Sequence, residues 1–185
     1  MMKIILMGIQ GSGKSTQGNL LSKKFGLFYL STGHIFREMA KEKARWGRYV
    51  KETMAAGLLI PDEKTVKIVE EYLSRPEYQK GYILDGFPRT LSQAKAFKNG
   101  VDKVFHLKVS DREALWRLAY RNEEVRDDET VAAVRKRIEI FHKVTEPVLT
   151  HYRKRGLLKE IDGEQPVKKV FQQILESLPK GGKKR

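Results

Sequence analysis

Eight residues near the N-terminus constrain what this chain can fold into more than any other stretch. The run Gly8-Ile-Gln-Gly-Ser-Gly-Lys-Ser15 fits the pattern G-x-x-x-x-G-K-[ST] in full, between an apolar run at 3–7 and a potential helix at 15–25. Glycines let backbone N–H groups converge on phosphate oxygens, and Lys14 adds a mobile positive charge. The alternative, a glycine-rich turn with a surface lysine, leaves the complete pattern unexplained. The motif therefore predicts a loop that binds a nucleoside triphosphate.

Strand-like and helix-like segments alternate along the rest of the chain. Three more short, mostly apolar runs predict strands at 27–30, 82–85 and 104–109, and the segment 157–161 is the candidate for a fifth strand. Helical patterns predict helices at 32–43, 91–98, 112–121, 130–152 and 167–178. In the longest, Val134, Ile138 and Phe141 recur at helical spacing and predict a buried stripe, while Pro147 should kink or divide the helix. The alternation predicts an α/β fold: a five-stranded parallel sheet with helices on both faces.

The composition excludes several classes of protein. The chain has no cysteine, which excludes disulfide scaffolds, thiol catalysis and thiolate metal sites. No apolar run approaches the roughly 18 residues that span a bilayer. The apolar stretch before Gly8 is also too short for the hydrophobic region of a secretory signal. We therefore expect no membrane partner and a location in the cytoplasm.

The charge of the chain points to an anionic partner. Lysine and arginine number 37 against 23 aspartates and glutamates, which gives a net charge of +14. Such an excess suits nucleic acid or a phosphorylated small molecule. Part of it lies in a C-terminal run, either a solvated tail or a nucleic-acid contact, that contains Lys180, Lys183, Lys184 and Arg185. The charge therefore allows a nucleic-acid partner without requiring one.

Three further segments narrow the function. Ser31-Thr-Gly-His-Ile-Phe-Arg37 follows the second predicted strand, and Gly57-Leu-Leu-Ile-Pro-Asp-Glu63 follows a helical stretch. Tyr82-Ile-Leu-Asp-Gly-Phe-Pro-Arg-Thr90 ends the third predicted strand, with Gln93 just beyond. Together with the phosphate loop these segments resemble the nucleoside monophosphate kinases, and adenylate kinases most closely, over nearly the whole chain. The stretch Asp85-Gly-Phe-Pro-Arg89 is highly specific to this group.

The resemblance implies a single P-loop NTPase domain over residues 1–185. It would carry an AMP-binding insertion at about 31–61 and a short lid at about 118–130. The implied reaction is reversible transfer of a phosphoryl group from ATP to AMP, which yields two ADP and serves nucleotide biosynthesis and homeostasis. Mg²⁺ is the implied cofactor, and ATP, AMP and ADP are the implied ligands of a monomer. No structural zinc is expected, because the chain lacks cysteine.

The resemblance also implies roles for individual residues. The AMP site would comprise Thr32, Gly33, Arg37, Gly57, Leu58, Leu59, Gly86, Arg89 and Gln93. The ATP site would comprise Gly11, Ser12, Gly13, Lys14, Ser15, Thr16, Arg117 and Gln165. Ser15 and Asp85 would hold Mg²⁺, largely through water. The catalytic cations would be Lys14, Arg89, Arg121, Arg126 and Arg137. The chemistry agrees in part, since the planar fork of arginine suits phosphate and a carboxylate at the end of an apolar strand suits the metal.

The lid that the resemblance implies is unusually short in this chain. Only four residues separate Arg121 from Arg126, fewer than in the usual short-lid form. The step of eleven residues from Arg126 to Arg137 matches the spacing of the family, in which Asp128 would orient arginines. The alternative for this charged stretch is a solvated helix surface with internal salt bridges.

Some positions have simpler explanations or depart from the family pattern. Asp85 could cap a helix, Gln93 could be a solvated helix residue, and Arg37 could form a surface salt bridge. Ser15 stands where the family has glycine, and His34 stands where aspartate is common and can cap the following helix. We interpret His34 as a tolerated change and not as a metal ligand or catalytic base.

The choice of AMP among monophosphates depends on Thr32, Thr90 and Gln93. Pyrimidine monophosphate kinases of this family usually have alanine at the position of Thr32 and asparagine at that of Thr90. An amide at Gln93 can bind the donor–acceptor edge of adenine with two hydrogen bonds. The alternatives are a UMP/CMP kinase and a P-loop RNA-associated ATPase.

Overall fold

Five parallel strands form one sheet in the computed structural model of the protein, which describes residues 1–120 and 130–178. The strands are β1 (Met2–Met7), β2 (Phe28–Ser31), β3 (Gly81–Asp85), β4 (Lys103–Lys108) and β5 (Leu158–Asp162). Their order across the sheet is β2-β3-β1-β4-β5. The predicted parallel sheet is confirmed, and each strand begins and ends within one residue of its predicted position.

The strand register brings the functional segments to one edge of the sheet. Leu6 of β1 pairs with Asp85 of β3, and Ser31 of β2 pairs with the same aspartate. Because all the strands are parallel, their carboxyl ends lie at this edge together. In open α/β sheets, ligands bind beyond the carboxyl ends of the strands. The loops after β1, β2 and β3 are therefore the expected place for a site.

Helices surround this sheet. Within the described ranges they are α1 (Lys14–Phe25), α2 (Thr32–Ala40), α3 (Arg45–Ala55), α4 (Asp62–Leu73), α5 (Leu91–Ala96), α6 (Asp111–Ala119), α7 (Val131–Ile140), α8 (Glu146–Lys154) and α9 (Val167–Ser177). A 3-10 turn spans Pro76–Tyr78. None of the described helices is long and apolar enough to cross a membrane.

Both faces of the sheet are buried by helices, as predicted. Successive side chains of β1 point to opposite faces, so Ile5 packs with Val148 of α8 while Ile4 packs with the other layer. That second layer contains Leu21 of α1 and Ile174 of α9, both fully buried. Coverage on both faces explains why the central strands β1 and β3 are nearly continuous apolar runs, whereas the edge strand β5 exposes Lys159 and Glu160.

The long helix predicted for 130–152 is divided, as the position of Pro147 predicted. A π-helical segment, Phe141–Thr145, separates α7 from α8, and Pro147 lies in the first turn of α8. Proline lacks a backbone N–H, so the regular hydrogen bond to the carbonyl four residues earlier is lost at this point. The predicted stripe of Val134, Ile138 and Phe141 is buried.

The segment predicted as an insertion contains two helices, α2 and α3. Their small apolar cluster comprises Phe36, Val50, Met54 and Ile60. The helix predicted for 32–43 is too long, because α2 ends at Ala40. The N-cap of α2 is Ser31, whose hydroxyl accepts a hydrogen bond from the backbone N–H of His34 at 3.4 Å. A capping side chain at position 34 is therefore not needed.

Candidate active site

A large cavity of about 890 Å³ opens at the carboxyl edge of the sheet. The residues predicted from the sequence that line it are Gly11, Ser12, Gly13, Lys14, Ser15, Thr16, Gly33, Arg37, Gly57, Leu59, Asp85, Gly86, Arg89, Arg117, Arg137 and Gln165. A smaller cavity of about 60 Å³ shares part of this wall and also contacts Thr32, Leu58 and Gln93. The structure therefore brings every predicted site residue of the described ranges to one place. Arg121, Arg126 and Asp128 lie outside those ranges.

The phosphate loop joins the end of β1 to the start of α1. Gly11 has a φ of +87°, and a Cβ there would lie 2.6 Å from the carbonyl oxygen of Ala114, so only glycine fits. Lys14 begins α1 and donates from Nζ to the carbonyl oxygens of Gly8 at 2.9 Å and Ile9 at 2.8 Å. These bonds hold the ammonium group over the loop, beside the positive end of the helix dipole.

Asp85 ends β3 and is buried, with 8% of its surface exposed. Its Oδ2 accepts a hydrogen bond from the hydroxyl of Tyr29 at 2.7 Å. Its Oδ1 is buried with no hydrogen-bond partner among the described residues. An unsatisfied buried carboxylate oxygen is costly and suits a ligand that supplies hydrogen-bond donors or a cation. A carboxylate and the nearby Ser15 hydroxyl are the hard oxygen donors that Mg²⁺ prefers, so these residues fit the metal.

Arg89 lies where the segment after β3 turns back towards the cavity. Its Nε donates to the carbonyl oxygen of Gly86 at 2.8 Å, and its own carbonyl oxygen accepts from the Thr145 hydroxyl at 2.9 Å. A Cβ at Gly86 would lie 2.5 Å from Oγ1 of Thr32. The Thr32 hydroxyl in turn donates to the carbonyl oxygen of Asp85 at 3.2 Å. The threonine, the glycine and the arginine are thus packed together.

Gln93 is buried, with 2% of its surface exposed, so the alternative of a solvated helix residue is wrong. Its Oε1 accepts from the backbone N–H of Arg89 at 2.7 Å. Its Nε2 donates to Oδ1 of Asp62 at 2.8 Å, and the other oxygen of that carboxylate accepts from the Thr90 hydroxyl at 2.7 Å. The amide therefore has one defined orientation beside the smaller cavity.

Arg137 and Arg117 both line the large cavity. The guanidinium of Arg137 donates to Oε1 of Gln10 at 3.1 Å and to the carbonyl oxygen of Met54 at 2.9 Å. It therefore connects the phosphate loop with α3. Arg117 donates to Oε1 of Glu113 at 2.7 Å and to the carbonyl oxygen of Gly163 at 2.9 Å. Arg117 does form a salt bridge, yet its side chain remains part of the cavity wall.

The turn at 162–165 contacts Arg117 and lines the large cavity through Gly163, Glu164 and Gln165. The side chain of Gln165 donates to Asp162 at 2.8 Å and, with the backbone N–H of Glu164, lowers the pKa of that carboxyl. Hydrogen bonds from Ser110 lower the pKa of Glu164, whose carboxylate accepts the Ser110 N–H at 2.8 Å. Both carboxylates therefore stay ionised at neutral pH and fix the turn.

Several residues of this region were not predicted from the sequence. Tyr29, Asp62 and Thr145 bind predicted site residues, and Trp116 lines the cavity next to Arg117 with 57% of its surface exposed. His34 also lines the cavity. Among the residues that the structure describes, no cluster of three metal-ligating side chains occurs.

Known proteins resemble this chain over nearly its whole length. The sequence model of the adenylate kinase family matches residues 6–157. An adenylate kinase of Azobacteroides pseudotrichonymphae is 38% identical over 186 residues, which cover 96% of this chain and 97% of the relative. Adenylate kinases of Caldicellulosiruptor bescii and Archaeoglobus fulgidus are 34% and 33% identical. Those two alignments cover 96% and 97% of this chain and 99% of each relative.

Proposed function

The chain belongs to the adenylate kinase family and is therefore a phosphotransferase that acts on a nucleoside monophosphate, and we propose that it moves a phosphoryl group from MgATP to AMP in the large cavity. The observation that carries this proposal is the convergence of two groups of residues on that cavity. The phosphate loop with Lys14 lines that cavity together with Asp85, Arg89 and Arg37. A triphosphate and a monophosphate can thus meet above the carboxyl edge of the sheet.

The ATP half of the site comprises the phosphate loop, Arg117 and Gln165. Backbone N–H groups of the loop and the helix dipole of α1 attract the phosphates. Lys14 binds the outer phosphates of ATP with its mobile positive charge. Arg117, held in place by Glu113 and the carbonyl of Gly163, presents its planar guanidinium to the ATP base.

The AMP half comprises α2, the loop after α3 and the segment after β3. Arg37 and Arg89 bind the monophosphate, because the guanidinium group matches phosphate oxygens with two parallel hydrogen bonds. Gly57, Leu58 and Leu59 line the pocket of the base, and Gln93 binds the adenine edge. The smaller cavity, which contacts Thr32, Leu58 and Gln93, supports this placement.

Catalysis in this site needs no general base, because the attacking group is already a phosphate oxygen. The side chains contribute position and positive charge: Lys14, Arg89 and Arg137 surround the place where negative charge is transferred. Ser15 and Asp85 would hold Mg²⁺, largely through water. When bound there, the ion would neutralise charge on the outer phosphates of ATP. Arg121 and Arg126, which we assign to the proposed lid, would add positive charge around the phosphates.

A comparison of four acceptors tests the substrate assignment. We expect the purified chain with MgATP to show its highest kcat/KM with AMP, compared with UMP, CMP and GMP in the same coupled assay. Faster turnover of a pyrimidine monophosphate would identify a UMP/CMP kinase instead. ATP hydrolysis without transfer to any acceptor would contradict the kinase proposal altogether.

A pair of lysine substitutions on α1 tests the placement of the site. Lys14→Ala should lower kcat by about 100-fold or more, since one preorganised charge at a transferring group has an effect of that order. Lys23→Ala is the matched control, because Lys23 is an exposed lysine in the last turn of the same helix. It should retain the wild-type kcat. Near-normal activity of Lys14→Ala would overturn the assignment of the phosphate loop.

A further inference from the structure

The side chain of Asp62 holds the amide of Gln93 from the side opposite to Arg89. Asp62 begins α4, and Gln93 lies in the first turn of α5, so the contact joins two helices 31 positions apart in sequence. One carboxylate oxygen of Asp62 accepts the Gln93 amide at 2.8 Å, and the other accepts the Thr90 hydroxyl at 2.7 Å. Both oxygens therefore have a donor, and the carboxylate is fixed on two sides.

This arrangement permits only one of the two orientations of the Gln93 amide. A carboxylate can only accept hydrogen bonds, and the backbone N–H of Arg89 can only donate one. If the amide turned by 180°, its oxygen would face the carboxylate and its NH₂ would face the Arg89 N–H, so both bonds would be lost. In the observed orientation, one N–H of Nε2 and one lone pair of Oε1 remain for a ligand in the smaller cavity.

We propose that Asp62 is a positioning residue that makes the site specific for a purine with an amino group at C6, by fixing the orientation of the Gln93 amide. The inference rests on the proposed function, in which Gln93 binds the base. Adenine offers an exocyclic amine, a donor, which Oε1 can accept. Hypoxanthine, the base of IMP, carries a carbonyl oxygen at the same position, which would face Oε1 without a proton between them. Only a turned amide could donate to that carbonyl, and Asp62 prevents the turn.

The ratio of kcat/KM for AMP to kcat/KM for IMP is the quantity that tests this proposal. Asp62→Ala should lower the ratio by about tenfold or more. A site discriminates by hydrogen bonding when the polar groups of the wrong ligand stay unpaired in it, and in this variant the Gln93 amide can turn and pair with IMP. The KM for ATP should stay within about twofold of the wild-type value. A merely structural role of Asp62 would change turnover with AMP and IMP together and would leave their ratio unchanged.

Two further substitutions serve as matched controls. Glu63→Ala removes the same charge from the exposed neighbouring position in the first turn of α4, and we expect the ratio to stay at the wild-type value. Asp62→Asn should retain most of the ratio, because its carbonyl can accept from Gln93 while its NH₂ donates to Thr90. If Asp62→Ala does not fold, Asp62→Ser keeps a polar group at the helix start but is too short to hold the amide, and the same loss of ratio is expected.

A double variant separates failure of this inference from failure of the proposed function. Because Asp62 acts through Gln93, adding Asp62→Ala to Gln93→Ala should not lower the ratio further. If Gln93→Ala leaves the ratio unchanged, Gln93 does not bind the base, and the proposed function is wrong on that point. If Gln93→Ala lowers the ratio while Asp62→Ala and Asp62→Ser leave it unchanged, the positioning role of Asp62 is overturned and the role of Gln93 stands.

Discussion

The carboxylate of Asp85 is buried, and one of its two oxygens has no hydrogen-bond partner among the described residues. Bound Mg²⁺ with its water molecules would satisfy that oxygen. We expect Asp85→Asn to fold and to lose about 100-fold or more in kcat, because an amide of the same shape lacks the charge that balances the metal. The apparent Mg²⁺ requirement should rise as well. A titration of activity against free Mg²⁺, with the melting temperature as a check of folding, measures both effects.

Tyr29→Phe is the control for that prediction. It removes the hydroxyl that donates to Oδ2 of Asp85 and leaves the carboxylate in place. The loss of activity should be far smaller than for Asp85→Asn. Equal losses in the two variants would mean that the hydrogen bond, and not the charge, is what the site requires.

Sequence patterns predicted the residues of local motifs and missed those that act across the fold. Lys14 stands in a run whose spacing fits a phosphate loop, and Arg89 stands in a stretch that is specific to the family this chain resembles, so both were predicted. Tyr29 contacts a residue 56 positions away, Asp62 one that is 31 positions away, and Thr145 one that is 56 positions away. Asp62 lies within the segment 57–63 that the resemblance singled out, but no role followed for it there, and nothing near Tyr29 or Thr145 in sequence sets them apart.

The π-helical segment contributes to the site at the scale of an element. It places the Thr145 hydroxyl 2.9 Å from the carbonyl oxygen of Arg89, the residue proposed to bind the AMP phosphate. Thr145→Val keeps the shape and removes the donor from this carbonyl. We expect a loss of stability of about 1–3 kcal/mol, the cost of an unsatisfied buried polar group, and a several-fold increase in the KM for AMP.

Thr145→Ser and Thr150→Val provide the comparison for that variant. The serine retains a hydroxyl and should restore the KM for AMP. Thr150 is an exposed threonine on α8, and its substitution should change neither stability nor KM. Denaturant unfolding and initial rates at varied AMP give both quantities. An unchanged KM in Thr145→Val would show that the segment does not help to place Arg89.

The same segment also connects α6 to α8 through His142. The imidazole lies 2.6 Å from Glu146 and 2.9 Å from Asp111, and these hydrogen bonds raise the pKa of His142. Because the pKa is raised in the folded state, the ion pairs stabilise the folded protein fully at pH values below the unfolded-state pKa of about 6.5. This stabilisation is lost as the pH rises through the pKa of His142 in the folded state. We therefore expect the melting temperature of wild type to exceed that of His142→Gln most at about pH 5.5, with the difference shrinking towards about pH 8.5.

His151 gives a control of the opposite sign. Burial, helped by Arg155, lowers the pKa of His151. A neutral ring is then favoured in the folded state, so its contribution is present above about pH 6.5 and is lost as the pH falls. The difference between wild type and His151→Gln should therefore grow with rising pH. If both differences change in the same direction, the charge of His142 is not what holds the two helices together.

The elements themselves were largely predictable, and their details were not. Apolar runs identified the first four strands, because buried parallel strands need such runs, and the mixed segment 157–161 identified the edge strand β5. The proline predicted that the long helix is divided, but the extra residue per turn in Phe141–Thr145 depends on packing against the sheet and on the contact with Arg89. The end of α2 at Ala40 likewise follows from packing of the small cluster with α3.

At the scale of the whole molecule, the order of the strands in the sheet determines which site residues lie next to each other. The order β2-β3-β1-β4-β5 places the phosphate loop after β1 directly beside Asp85 at the end of β3. The sequence predicted five strands without predicting which are neighbours, since pairing between distant strands leaves no local pattern. The insertion at about 31–61 and the short lid at about 118–130 remain predictions about how the single domain is organised. The proposed lid falls in part on residues 121–129, outside the described ranges.

The net charge of +14 affects the molecule as a whole, and its effect can be separated from that of the site. Positive surface charge attracts anionic nucleotides over distances that salt shortens, with a Debye length of about 10 Å at 0.1 M. We expect kcat/KM for ATP to fall by about tenfold between about 0.05 and 0.5 M salt, while kcat stays within about twofold.

Lys23 and Lys24 lie about 15 Å along α1 from Lys14, exposed and outside the cavity wall. The variant Lys23→Gln/Lys24→Gln should therefore lower kcat/KM at low salt and match wild type at high salt. Curves that stay apart at high salt would show that these lysines act on the site itself, and a flat wild-type curve would show that the net charge does not steer nucleotides at all.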